Sequence, residues 1–342
     1  MAIHLSAPSI DVLQRETGVA IPVYLSPKID QDLALALLRD NVAAYVAQTR
    51  FSEHICLSVD GLSFGARQAV EIAAEFGVSL AVAEVNRGKL WGAIHGVRKL
   101  LENSRLKYIA LVDQDGDHFA SELLNLVRAA EHIVAREGHQ RVLVLGQRTS
   151  RHRPMGFLRG ELEELGDRVL LDALHYRAAT TGKPLPLSYV TPFGEFPDFH
   201  SGYKLFSRET AQAVFGNAPN LAGCSDDCYY RHAVEAVMVV EALEAGAVLG
   251  VVNRSTFNEQ PFTTFGQFDA AQLMADTVIW PCKRLGVPLA FVRQWLDNHI
   301  PRLLLSTIAP EGKTQLARVR QLVLESYGVE IGETWFQQPL FV

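Results

Sequence analysis

The first 150 residues alternate between short continuous apolar runs and longer segments in which apolar residues recur every three or four positions. The short runs predict β-strands and the longer segments predict helices. The predicted strands cover 21–26, 55–59, 79–85, 108–112 and 142–146. The first helix between these strands follows Asp30, a favourable N-cap residue. The next helices cover 64–76, 89–102 and 119–136. This alternation predicts an α/β fold, with a mostly parallel sheet covered by helices on both faces.

The rest of the chain is less regular. Residues 148–200 are rich in arginine, glycine and proline and are predicted to form loops. A strand running into a helix at Ser207, a helix over 226–245 and a strand over 248–253 follow. The last part predicts helices over 268–285, 288–306 and 313–327. We therefore expect one domain over 1–265 and a helical extension over 266–342, which packs on that domain or forms a homo-oligomer.

Composition and charge narrow the functional classes. The chain has 342 residues, 48% of them hydrophobic and 20% charged, which is typical of a globular protein with its own core. The 32 basic residues against 38 acidic ones give a net charge of −6, which argues against a nucleic-acid partner. Four cysteines are too few for a disulfide framework, and no signal peptide or apolar membrane span is evident. We expect a cytoplasmic protein without an integral membrane segment.

Polar residues follow the predicted strands, where parallel sheets bind their ligands. They are Ser26, Asp60, the segment 86–88 and the segment 113–118. The last of these carries three carboxylates, Asp113, Asp115 and Asp117, within five residues. Such close carboxylates repel one another unless a cation lies between them, and oxygen ligands suit Mg²⁺ or Mn²⁺.

Three interpretations of this acidic cluster differ in function. It can be an acidic turn that only caps the following helix. The sequence D-x-D-G also fits a haloacid-dehalogenase-like, Mg²⁺-dependent phosphatase, although that motif normally ends the first strand of its domain and at least three strands precede Asp113 here. The third interpretation is the D-x-D motif of a nucleotide-sugar glycosyltransferase, in which a cation bridges carboxylate and diphosphate and neutralises the leaving group.

Ordered motifs over residues 20–265 favour the third interpretation. They are IPVYLS (21–26), LSVDG (57–61), NRGKLWGAIHG (86–96), DQDGDH (113–118), GQR (146–148) and DFHSGYKLFSR (198–208). Together they resemble the family-2 glycosyltransferases, most of all the dolichyl-phosphate mannosyltransferase-like branch. The chain departs from that pattern at Gly92 and Ile94, where the family has Ala and Asn, and at Asp117, where it has Gln. The C-terminal helices lie outside the resemblance.

The resemblance implies a GT-A fold and an inverting hexosyltransferase that moves a sugar from a nucleoside diphosphate sugar, UDP-linked first and GDP-linked second, to a hydroxyl acceptor. It implies that Asp115 binds Mn²⁺ or Mg²⁺ and that Asp226 or Asp227 is the catalytic base. Asp117, where the chain departs from the family, is expected to be a further metal ligand. The implied donor-binding residues are Pro22, Tyr24, Ser26, Asp60, Asn86, Gly88, Lys89, Asp113, Arg148, Ser201 and Gly202. The alternatives are the phosphatase and a non-catalytic nucleotide-sugar-binding protein on the same scaffold.

Overall fold

The computed structural model describes residues 8–190, 196–260 and 269–330. Its described residues form a seven-stranded sheet in the order β3-β2-β1-β4-β6-β5-β7. Every neighbouring pair is parallel except those that involve β6, which runs antiparallel to β4 and β5. The strands are β1 (Thr17–Val23), β2 (Ile55–Asp60), β3 (Ser79–Ala83), β4 (Tyr108–Leu111), β5 (Val142–Arg148), β6 (Lys204–Ser207) and β7 (Val248–Arg254).

Twelve helices accompany this sheet in the described part of the chain. They are α1 (Pro8–Glu16), α2 (Gln31–Val46), α3 (Ala66–Phe76), α4 (Lys89–Leu101), α5 (Leu123–Glu137), α6 (His152–Thr181), α7 (Arg208–Gly216), α8 (Val234–Glu244), α9 (Ala270–Arg284), α10 (Leu289–His299), α11 (Leu305–Ile308) and α12 (Gly312–Ser326). A π-helical turn, Cys228–His232, precedes α8.

The sheet is buried on both faces because successive strand residues point to opposite sides. In β1, Val19 and Ile21 belong to one hydrophobic core with residues of α1, α2, α3 and α5. Ala20 belongs to a second core with residues of α4, α6, α8 and α9. The predicted α/β class, with a mostly parallel sheet and helices on both faces, is confirmed. Asp30 also caps α2 as predicted, because its carboxylate accepts a hydrogen bond from the Leu33 N–H.

The prediction of loops over 148–200 was wrong for most of that segment. Arg148 ends β5, and α6 occupies 152–181 with a break at Gly156, where φ is 78°. Pro154, Gly156 and Gly160 weaken the helical pattern near the start of α6. The buried residues further along, including Leu162, Leu165, Val169 and Ala173, do recur at helical spacing.

Smaller differences concern element boundaries. Strand β1 spans Thr17–Val23 rather than 21–26, and α1 was not predicted. The predicted helix over 288–306 is divided into α10 and α11 by a turn that contains Pro301, because proline has no N–H for a helical hydrogen bond.

The helical extension packs directly on the rest of the chain. Trp280 of α9 is fully buried, and α9 contacts both α6 and the π-helical turn. The hydrophobic core that contains Ala20 also contains residues of α9, α10 and α12. The domain boundary at 265 stays a prediction, since residues 261–268 lie outside the described residues. None of the described helices is long and apolar enough to cross a membrane.

Candidate functional site

A cavity of about 260 Å³ lies at the carboxyl ends of the central strands. One wall consists of residues that follow β1, β2, β3 and β4, and we call it the strand-end wall. The opposite wall comes from α6, the π-helical turn with the start of α8, and α9, together with Arg148 at the end of β5 and the segment 198–200 before β6, and we call it the helical wall. The predicted site residues that line the cavity are Pro22, Tyr24, Asp60, Asn86, Gly88, Lys89, Asp113, Asp115, Asp117, Arg148 and Gly202. The structure thus brings together most of the residues that were predicted.

Four predicted site residues do not line this cavity. Ser26 and Ser201 are buried beside it, where the Ser201 hydroxyl donates to the Gly146 carbonyl at 2.5 Å. Asp226 and Asp227 are largely exposed and form ion pairs with Arg87 (2.5 Å) and Arg231 (2.7 Å). The assignment of Asp226 or Asp227 as the base stays a prediction from sequence, and their placement outside the cavity argues against it.

The acidic turn after β4 has a fixed conformation. The Asp113 N–H donates to Nδ1 of His118 at 2.9 Å, so Nε2 of that ring carries the hydrogen. The Asn41 side chain donates to the Asp113 carbonyl, and the Tyr45 hydroxyl donates to the His118 carbonyl, both at 2.8 Å. Gly116 supplies the positive φ of 82° that the turn requires. These bonds hold the carboxylates of the turn toward the cavity.

Two of those carboxylates differ in their electrostatic environment. The Asp113 carboxylate lies 2.7 Å from the Lys89 ammonium. Burial alone would raise the pKa of Asp113, but Lys89 outweighs it and lowers that pKa below its usual range. Burial, together with the charge of Asp113, raises the pKa of Asp115 to about 7. Asp115 is therefore a carboxylate whose negative charge a cation would stabilise.

The third carboxylate of the turn is already engaged. Oδ2 of Asp117 lies 3.1 Å from the Arg254 guanidinium, and Oδ1 accepts the Phe257 N–H at 2.7 Å. Its role as a metal ligand stays a prediction, and a cation would have to compete with both donors. Arg254 also donates to the Gly146 carbonyl, so this ion pair ties the acidic turn to β5.

The carboxylates of the acidic turn can be compared with the ligands that a divalent cation needs. Within residues 8–190, 196–260 and 269–330, no group of three or more His, Cys, Asp or Glu side chains is arranged to hold a metal ion by itself. Mg²⁺-type sites commonly use one or two carboxylates and complete their shell with substrate phosphates and water. Asp115, with Asp113 beside it, fits that second type of site and not a cage made wholly of protein ligands.

The segment after β3 is anchored by Asp60. Its carboxylate accepts hydrogen bonds from the Asn86 side chain (2.7 Å), the Arg87 N–H (2.9 Å) and the Gly88 N–H (2.8 Å). Gly88 has a φ of 130°, and a Cβ there would lie 2.3 Å from the Tyr230 carbonyl oxygen. Glycine is therefore required where the strand-end wall meets the π-helical turn.

A side-chain amide continues the ladder of β1. The Tyr24 N–H donates to the Gln114 amide oxygen, and the Gln114 amide nitrogen donates to the Tyr24 carbonyl, both at 2.9 Å. This reciprocal pair fixes the chain beyond Pro22 and places Tyr24 at the cavity.

The helical wall is built from buried ion pairs. Arg148 donates to both oxygens of Asp198, at 2.5 and 2.7 Å, and to Glu163 at 2.8 Å. Asp167 lies 2.7 Å from Nδ1 of His200 and 2.9 Å from Arg151. Arg148 was predicted to bind the donor from a loop, but its guanidinium is committed to two carboxylates in the wall.

The cavity is also lined by residues that were not predicted, among them Glu235 and His232. Glu235 lies 2.9 Å from the Lys89 ammonium, and Nδ1 of His232 lies 2.6 Å from the Asp276 carboxylate. His232 ends the π-helical turn and Glu235 lies in the first turn of α8, so the two residues reach the cavity from successive elements. The partners lie 44 or more residues away in sequence, so no local pattern could have identified these pairs.

No family model matches the chain, and no curated protein matches it significantly. Solved structures with a similar architecture include S. aureus TarS 1–349, with 14% identity, a TM-score of 0.40 and coverage of 92% of this chain and 91% of that chain. The mannosyltransferase PcManGT from Pyrobaculum calidifontis, in complex with GDP-Man and Mn²⁺, has 13% identity, a TM-score of 0.46 and coverage of 92% and 86%. The 4-diphosphocytidyl-2C-methyl-D-erythritol synthase from Anaerococcus prevotii has 10% identity, a TM-score of 0.38 and coverage of 72% and 90%.

Proposed function

We propose that the chain is a metal-dependent glycosyltransferase of the GT-A type, which moves a sugar from a nucleoside diphosphate sugar to a hydroxyl acceptor. One observation carries the proposal. Asp113 and Asp115 follow a central strand, in a cavity that also contains Lys89 and the residues after β1, β2 and β3. A diphosphate needs cationic charge, and a divalent cation bound by this carboxylate pair would join the diphosphate to the protein.

The strand-end wall supplies groups for each part of such a donor. Pro22, Tyr24, Asp60 and Asn86 line the cavity and would bind the nucleobase. Lys89 is the cation nearest to Asp113 and would neutralise diphosphate charge. A cation bound at Asp115 would act as a Lewis acid toward the leaving diphosphate. UDP is the first choice of nucleotide and GDP the second, transfer of a hexose is expected to invert the anomeric carbon, and the metal is Mn²⁺ or Mg²⁺.

The binding half of the proposal is tested by thermal stabilisation, because a ligand that binds only the folded state raises the melting temperature. UDP-glucose, GDP-mannose, ADP-glucose and CDP-glucose are each added with and without Mn²⁺. We expect stabilisation by one of the first two, in the presence of Mn²⁺. Asp115→Ala should remove the Mn²⁺-dependent part, whereas Asp40→Ala, at an exposed position of α2, should retain it.

Each other outcome rejects a specific part of the proposal. If none of the four sugars stabilises the protein, the donor assignment is wrong. Equal stabilisation of Asp115→Ala and the parent excludes Asp115 as the metal ligand. Binding without any release of nucleotide identifies a non-catalytic binding protein. An aspartyl adduct at Asp113 after incubation with Mg²⁺ and beryllium fluoride identifies the phosphatase, since that class uses a nucleophilic carboxylate.

A further inference from the structure

Lys89 connects the two walls of the cavity through two carboxylates. Its ammonium lies 2.7 Å from Oδ1 of Asp113, in the acidic turn after β4, and 2.9 Å from Oε1 of Glu235, in the first turn of α8. Lys89 is the first residue of α4, where the helix dipole disfavours a positive charge. A lysine between two carboxylates keeps its proton, so one positive charge is shared by Asp113 and Glu235.

Arg254 also pairs with the acidic turn, but it is held in place by further bonds. Besides its ion pair with Asp117, the Arg254 guanidinium donates to the carbonyl groups of Gly146 and Ser255. Movement of Arg254 would leave those buried or half-buried carbonyl groups without their donor. Lys89 differs, because its flexible ammonium can leave one carboxylate while it keeps the other.

Asp113 is the carboxylate for which this ammonium and a metal ion would compete. Asp113 and Asp115 form the candidate metal site, and Lys89 contacts an oxygen of Asp113 directly. Positive charges repel one another, so an ammonium held at this atom opposes the binding of a divalent cation to the carboxylate pair. The opposition weakens if the ammonium turns toward another anion in the cavity. The diphosphate of a nucleotide sugar would be such an anion.

We infer that Lys89 couples the binding of the nucleotide to the binding of the metal ion. The inference rests on the proposed function. Without nucleotide, Lys89 neutralises Asp113 and keeps the affinity for a divalent cation low. When the diphosphate binds, Lys89 pairs with it, retains Glu235 as its second partner and leaves Asp113 available to the cation. The nucleotide and the cation therefore raise each other's affinity, and by thermodynamic linkage they do so by the same factor.

The test measures the Kd for Mn²⁺ from the electron paramagnetic resonance signal of the free ion, without nucleotide and with saturating UDP or GDP. Lys89→Met should bind Mn²⁺ alone about 10-fold more tightly than the parent, because a positive charge next to Asp113 is removed. The factor by which nucleotide tightens Mn²⁺ binding should fall by about 10-fold, since no ammonium remains to exchange partners. A gain in affinity cannot arise from a variant that fails to fold.

Glu235→Gln tests the second partner of Lys89 and should act in the opposite direction. The substitution removes the carboxylate that draws the ammonium away from Asp113. Lys89 then pairs with Asp113 more completely, so the Kd for Mn²⁺ without nucleotide should rise by about threefold or more. A Kd that falls in Glu235→Gln would contradict the assignment of Glu235 as the partner that Lys89 retains.

The chain offers a matched control. The Lys107 ammonium lies 2.7 Å from the Glu16 carboxylate, the same separation as between Lys89 and Asp113, and neither Lys107 nor Glu16 lines the described part of the cavity. Lys107→Met should retain both Kd values of the parent.

The outcomes separate this inference from the proposed function. An unchanged Kd for Mn²⁺ alone in Lys89→Met overturns the inference, and so does an unchanged effect of nucleotide on that Kd. The inference is also overturned if the parent binds Mn²⁺ equally well with and without UDP or GDP. A parent that binds Mn²⁺ in neither condition rejects the proposed function itself, which is a different result.

Discussion

The two walls of the cavity are stabilised in different ways. In the strand-end wall, the Asp60 carboxylate accepts hydrogen bonds from the main-chain N–H groups of Arg87 and Gly88, which follow the neighbouring strand β3. In the helical wall, buried side chains of opposite charge pair over long sequence separations, such as the 50 residues between Arg148 and Asp198. Main-chain donors contribute to the first wall, whereas the second depends on buried side-chain ion pairs. Substitutions should therefore affect the two walls by different mechanisms.

The largest expected effect lies in the helical wall. Arg148→Met removes the buried guanidinium that Asp198 and Glu163 share, so we expect a loss of about 3–5 kcal/mol in the free energy of unfolding. Of their described ion pairs, Asp198 then retains only the one with Arg151, and Glu163 retains only the one with Arg159.

Arg177→Met removes a more exposed ion pair with Glu244 and should cost about 1 kcal/mol or less. Urea unfolding of both variants measures the difference. Equal losses would show that burial of the pair does not determine its contribution.

A smaller loss is expected where the two walls meet. Gly88→Ala places a methyl group against the Tyr230 carbonyl at a φ that alanine rarely adopts, so unfolding should become easier by about 3 kcal/mol. Gly92→Ala, within α4, is the matched control. The atoms nearest to a Cβ at this position belong to Asp60 and Ser58 and lie 3.5 Å away. That control should not destabilise the protein. A Gly88→Ala variant as stable as the parent would mean that the walls can separate without cost.

The smallest effect concerns pH. Burial lowers the pKa of His200, but the Asp167 carboxylate outweighs it, with help from Glu163 and Glu235, and the net pKa lies above its ordinary value of 6.5. The stability from this pair is fully present below about pH 6.5, the pKa of unfolded histidine, and is lost as the pH rises through the higher folded-state pKa. His200→Gln should flatten this dependence in urea unfolding across neutral pH, and His139→Gln, at an exposed position, should not. Parallel curves for the parent and His200→Gln would contradict the assignment.

The same contrast explains what the sequence could predict. Continuous apolar strands and the polar residues that follow them are local patterns, so the sheet, Asp60 and the turn 113–118 were predicted near their observed positions. The helix within the segment 148–200 was not predicted, because proline and glycine near the start of α6 interrupt the helical pattern of apolar residues. The pattern becomes evident only when the buried residues of α6 are known. Partners such as Asp276 are chosen by the packing of α9 on the π-helical turn, and no spacing within the sequence reports that contact.

The π-helical turn sets the rotational phase of everything that follows it. Its defining hydrogen bond runs from the Ala233 N–H to the Cys228 carbonyl at 2.8 Å, five residues back instead of four. One additional residue in a helix rotates the later side chains by about 100°. Asp226 and Asp227 precede this offset and face solvent, while Glu235 follows it and faces the cavity. A homologous chain that lacked one residue here would present a different side chain to the same cavity, so a single insertion or deletion in this turn would change the chemistry of the site without altering the sheet.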